Sequence, residues 1–164
     1  LTVTGREHPL DQVRAVYQSL EERKIERHCT ALARCCSFRA NGRTPFLTKG
    51  EALVAVRAWR ASGRREIPVP PDGSCPFLGA TGRCGIYEAR PFGCRTHFCE
   101  AAGGPHARGE VRDLIQRLEE IDLGLGGTGG VNLVTAVTEA LHEPDRAPDR
   151  GSRRGKGRCR GRGK

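Results

Sequence analysis

The chain has 164 residues, a formal net charge of +9 and eight cysteines; 37% of its residues are hydrophobic and only 5% aromatic. This length fits one compact domain with a modest core and at most a tail. The best apolar run, Ala52 to Val56, falls far short of the ~20 residues a membrane helix needs, so no membrane partner is expected.

No methionine is present and the sequence starts at Leu1, so its N-terminus carries no argument. No charged stretch leading into an apolar one reads as a signal peptide, and the expected location is cytoplasmic. Thiols stay reduced there, and clustered cysteines more often bind metal or do chemistry than staple the fold. The alternative, an eight-cysteine disulfide scaffold, is usually shorter and secreted. The charge is uneven: residues 143–164 hold nine Lys/Arg and three Asp/Glu, while residues 1–142 are nearly neutral.

A first helix is expected from Leu10 to Arg27, with Leu10, Val13, Val16, Tyr17 and Leu20 on one face and Pro9 tolerated at the first turn. A second begins at Thr48, which forms a capping box with Glu51. It buries Leu53, Val56 and Trp59 beside Ala52 and Ala55, and stops at Gly63. Residues 64–109 read as coil with short extended pieces and a single turn near Tyr87 to Ala89, because six prolines forbid long helices. A loop this long needs something to order it, and metal ligation would do so with little apolar burial.

A third helix follows from Glu110 to Leu123, striped by Val111, Leu114, Ile115, Leu118 and Ile121. The run Gly124 to Gly130 reads as a flexible link, since it lacks the preceding strand and the lysine of a phosphate-binding loop. A short helix from Val131 to Leu141 comes next. From Glu143 the chain reads as a disordered basic tail. The fold class expected is mainly α: a small helical domain over 1–142 with a long Cys-rich, metal-ordered loop, and the tail over 143–164.

Seven cysteines lie in the folded part: Cys29, Cys35, Cys36, Cys75, Cys84, Cys94 and Cys99. Thiolate is a soft ligand that selects zinc or iron–sulfur centres over magnesium or calcium. Seven exceed the four that one structural zinc needs, so either some are spare, two metals bind, or a cluster is held. If residues 26–36 were helical, Cys29 and Cys36 would share a face but lie about 10 Å apart along the axis. That is too far for one ion with Zn–S bonds near ~2.3 Å, so the chain breaks between them or they serve different atoms. Cys35 and Cys36 would point about 100° apart on a helix.

Cys29-x5-Cys35-Cys36, then CPFLGATGRC, then GIYEARPFGCR, resembles the YkgJ-like cysteine-cluster family, named for C-x2-C-x2-C-C and described as a zinc- or iron-chelating domain. The resemblance covers roughly residues 25–100. Cys75-Pro76-Phe77-Leu78, Cys84, Ile86-Tyr87-Glu88, Arg90-Pro91 and Cys94-Arg95 stand where the family has them. Leu32 occupies the place of the second motif cysteine, and Cys99 is an addition to the usual set. The resemblance implies metal binding and names no reaction.

Cys36, Cys75, Cys84 and Cys94 are the leading ligands, with Cys35 next. His97 follows Cys94 at a known ligand interval, and His28 stands beside Cys29; each is weighed against a role as an ordinary surface or supporting histidine. His8, His106 and His142 have no evident companions. Arg34, Arg39, Arg90 and Arg95 would offset thiolate charge and hydrogen-bond sulfur, against the alternative of solvated surface arginines. Glu88 would pair with Arg90 or Arg95. Cys159, in the tail, reads as an incidental thiol.

The expected function is that of a small metal-binding protein. One alternative is a metal- or thiol-dependent redox or transferase enzyme, in which a cysteine nucleophile would use His97 as base. The other is a zinc protein that associates with nucleic acid through the 143–164 tail, attracted to phosphates without base stacking.

Overall fold

A computed structural model describes residues 7–23, 27, 29 and 33–143. Among them the chain is mainly helical: α1 (Pro9–Glu21), α2 (Phe38–Asn41), α3 (Lys49–Ala61), α4 (Phe92–Thr96), α5 (Arg112–Gly124) and α6 (Leu133–His142). Two short strands, β1 (Phe46–Leu47) and β2 (Val131–Asn132), pair antiparallel, Phe46 opposite Asn132 and Leu47 opposite Val131. No helix among the described residues is long and apolar enough to cross a membrane.

α3 is the hub, packing on α1, α5 and α6. It separates two apolar cores. One joins Val54 of α3 to Leu10, Val13, Val16, Tyr17 and Leu20 of α1, to Leu114 and Leu118 of α5, and to Phe92. The other joins Ala52, Ala55, Val56 and Trp59 to Leu133, Ala136, Val137 and Ala140 of α6, and takes in Cys75, Phe77 and Ile86. α3 therefore buries residues almost all round, and Leu53, expected at the centre of its face, is only partly buried.

Several boundaries differ from expectation. α1 ends at Glu21, not Arg27, with Glu22 closing its last turn. α5 starts at Arg112, after a tight turn at Arg108–Glu110. Residues 131–132 are strand, and Asn132 caps α6 by accepting the Val134 N–H (3.1 Å). The 64–109 stretch has one isolated bridge, Leu78 with Cys84, in place of extended pieces, and it also carries α4. The turn at Tyr87–Ala89 is present. The tail from residue 144 on, with Cys159, and His28 beside Cys29 lie outside the described residues.

The glycine run, expected as a flexible link, is tied by hydrogen bonds to the end of α5. It folds around Asp122, a carboxylate only 1% exposed. One oxygen accepts the Lys49 N–H at the start of α3 (2.7 Å), and the other accepts the Gly129 N–H (2.8 Å). The Gly127 N–H reaches the Asp122 carbonyl (2.8 Å). A Cβ on Gly127 would lie 2.1 Å from the Asp122 carboxylate, so no side chain fits there.

A candidate metal centre of clustered thiols

Three segments converge beside the α3–α6 core. In the first, Ala33 adopts a left-handed conformation (φ 51°), and Arg34–Cys36 form one 3₁₀ turn leading into α2. The chain therefore turns at Ala33, and a straight helix through Cys36 is excluded. Asn41 holds this turn by donating to the carbonyls of Arg34 (3.1 Å) and Cys35 (3.3 Å).

The second segment is a tight hairpin. The Cys75 N–H donates to the Cys36 carbonyl (2.7 Å), tying it to the first. Gly79 and Gly85 donate to the Arg83 (2.8 Å) and Phe77 (2.7 Å) carbonyls, so the chain returns and sets Cys84 opposite Leu78. Phe77 anchors this hairpin by packing edge-on against Trp59, ring centroids 5.3 Å apart. Gly85 passes so close to Trp59 and Arg64 that a Cβ would sit 3.0 Å from each.

The third segment is α4, which carries Cys94. Its first N–H, from Phe92, donates to the buried Glu51 carboxylate (2.8 Å). The capping box at Thr48 and Glu51 is present, and the same carboxylate accepts the Thr48 N–H (2.9 Å) and hydroxyl (2.8 Å). Glu51 thus ties the start of α3 to the start of α4. Burial raises its pKa, although the bonds from Thr48 and Phe92 pull the other way. Tyr17 lies beside it; burial first, then the Glu51 charge, hold the phenol well above its usual value. Arg95 is buried too. It lies over the Tyr17 ring (4.3 Å), pairs with Glu21, and donates to the carbonyls of Glu88 and Arg90.

Together these segments line a cavity of about 420 Å³. Cys29, Cys35, Cys36, Cys75, Cys84 and Cys94 reach its wall, as does His97. Cys75 is buried, while Cys35, Cys36, Cys84 and Cys94 are half-buried; these five are free thiols. Cys99 is exposed, caps the turn Glu100–Ala102, and does not line the cavity. Phe38, Phe77, Ile86, Pro91, Phe98 and Leu133 supply the apolar part of the wall.

No family model matches the chain, and no curated protein or solved structure matches it.

The sulfurs perturb one another. Hydrogen bonding with Cys36, then burial, pushes the Cys35 thiol far up. For Cys36 the largest influence, hydrogen bonding with Cys35, favours the thiolate; the Cys75 thiol, burial and the Cys84 charge outweigh it and push the group up to about 12. Burial raises Cys84 against a smaller opposing effect of Arg90. Burial, then the nearby Cys36, Cys35 and Cys84, raises Cys94. Without a bound cation each of these thiols keeps its proton at neutral pH, because burial and the neighbouring sulfurs disfavour the charged form.

The donor set is soft sulfur throughout, with one imidazole, which matches the chemistry of zinc and iron–sulfur ligation. Among the described residues, however, no group of three or more His, Cys, Asp or Glu side chains is arranged to hold a metal ion. The thiols share a wall without converging on a point.

Of the four arginines expected to balance thiolate charge, only Arg90 lines the cavity. It stacks on the Tyr87 ring (3.9 Å) and donates to the Tyr87 carbonyl (3.0 Å). Arg34 and Arg39 are exposed, and Arg95 is committed to Glu21, so the expected pairing of the Glu88 carboxylate with Arg95 is replaced by a bond to the Glu88 carbonyl. Arg83 lines the cavity unanticipated; its position at the hairpin tip, one residue before Cys84, was the available signal.

His97 has a lowered pKa, through burial and then the charge of Arg43. His8 caps α1 by accepting the Leu10 N–H (3.3 Å). His106, whose side chain is 5% exposed, packs edge-on against Phe98 (5.6 Å). Its Nδ1 has no hydrogen-bond partner and lies 4.0 Å from the Glu110 carboxylate.

Proposed function

We propose that the protein is a small metal-binding protein that holds zinc or iron, the latter as an ion or an iron–sulfur cluster, through cysteine thiolates. Cys36, Cys75, Cys84 and Cys94 form the centre of the set, with Cys35 adjacent and Cys29 and His97 at the margin. The observation that carries this reading is that Cys29, Cys35, Cys36, Cys75, Cys84 and Cys94, though spread along the chain, all line one cavity. The residue pattern shared with the YkgJ-like family points the same way. Metal uptake would require the side chains to turn inward, and the cavity leaves them room.

The raised thiol pKa values favour this reading over a cysteine nucleophile. A nucleophile needs a depressed pKa and a thiolate at neutral pH, whereas a cation converts the same crowding of sulfur into ligation. A bound metal would supply positive charge that deprotonates the thiols and orders residues 75–94. The protein's own part is to set the sulfur positions through the Cys36–Cys75 backbone bond, the 75–85 hairpin and the Glu51 tie to α4.

The test is elemental analysis and a visible spectrum of the full chain purified without oxygen. Colour with iron and sulfide indicates a cluster; colourless protein with zinc indicates a zinc site. Metal content should fall in Cys84→Ser and Cys94→Ser and stay unchanged in Cys99→Ser. Folded wild-type protein that takes up neither metal overturns the proposal.

A further inference from the structure

A second cleft, of about 290 Å³, shares part of the thiol wall. Cys35, Cys94 and His97 line both spaces. The cleft's character is different. Arg43, Asn41, Thr44, Thr96 and His106 give it a polar lining, and no carboxylate among the described residues reaches it. Arg43, its one formal cation among the described residues, is exposed and has no carboxylate partner among them.

We propose that this cleft binds a small oxyanion, a carboxylate or phosphate, and presents it to the Cys35–Cys94–His97 wall. Three observations converge on that class. The guanidinium of Arg43 offers a planar fork that matches two oxygens of such a group. No Asp or Glu lines the cleft among the described residues, so no acidic side chain in its wall competes for Arg43 or repels an incoming anion. The volume is at the low end for ligand sites, which fits a small metabolite.

The inference does not rest on the thiols binding metal, since none of its groups other than the shared wall belongs to that reading. A ligand seated here would lie alongside Cys35 and Cys94, which line both spaces.

Calorimetric titration and thermal melting of the full reduced chain, at constant ionic strength set with chloride, test this with inorganic phosphate, succinate and the uncharged isostere succinamide. Saturable binding or stabilisation by phosphate, succinate or both is expected, with none by succinamide. The arm that binds more tightly identifies the oxyanion. Arg43→Ala should weaken that binding at least about tenfold, whereas Arg83→Ala, on the other cavity, should leave it unchanged. Neither heat nor stabilisation from both anions, equal binding of succinamide, or full affinity in Arg43→Ala would each overturn the proposal. Metal content unchanged in Arg43→Ala keeps this result separate from the metal reading.

Discussion

The helical frame and the cysteine-bearing segments are held by different physics. In the frame, α3 is wrapped by α1, α5 and α6, and two apolar cores bury whole stripes of side chains. The cysteine segments, 33–41 and 75–97, contribute few fully buried apolar residues. Phe38, Phe77, Ile86 and Phe92 dock them on the frame, and backbone bonds such as Cys75 to Cys36 shape them. Between the two stand buried polar ties: Glu51 reaching Phe92, and Arg95 reaching Glu21. Stability therefore resides in the frame, and the thiol geometry depends on a handful of ties.

This contrast can be broken at the frame first. Leu114→Ala empties a side chain only 1% exposed in the core that contains no cysteine. It should cost about 2–5 kcal/mol, seen in denaturant melts, with metal content per folded molecule unchanged. Asp122→Asn comes next. One amide oxygen must replace two carboxylate oxygens that accept from Lys49 and Gly129. The expected loss is about 1–3 kcal/mol, with amide exchange accelerating at the start of α3 and in residues 126–130. A change confined to the cysteine segments would contradict the division drawn here.

Glu51 sharpens the comparison through pH. Its folded pKa is raised above the ordinary 4.5, so the folded state binds the proton more tightly than the unfolded state. The contribution of this proton is complete below pH 4.5 and is lost as pH rises through the raised value. Melts across this range should show that decline in the wild type, and Glu51→Gln should lack it. The smallest effect expected is that of Arg90→Lys, which loses the flat stack on Tyr87. It should cost about 0.5–1 kcal/mol, read as a small drop in the melting temperature.

The sequence is most legible where periodicity is strong. The faces of α1 and α5 and the cap at Thr48 follow directly from apolar spacing and one capping motif. The cysteines were visible by residue type, and six of the seven named ones meet at one cavity. Cys99 does not; it is exposed at the start of the turn Glu100–Ala102. What periodicity could not show are bonds between distant segments. Glu51 reads as a local cap, yet its second oxygen holds α4, 41 residues away. Asp122 sits among other charged residues of α5 and looks solvent-facing until Lys49 and the glycine run close over it. The two-residue strands are too short for any alternation to register.

The run from 124 to 130 has the composition of a spacer, and an engineer might choose it as a place to cut the chain, extend it or attach a label. The clasp around Asp122 argues against that choice. A bulky insertion near Gly127 would push the carboxylate away from the head of α3, so that damage done at a glycine-rich surface loop would be transmitted to the helix on which both cores depend.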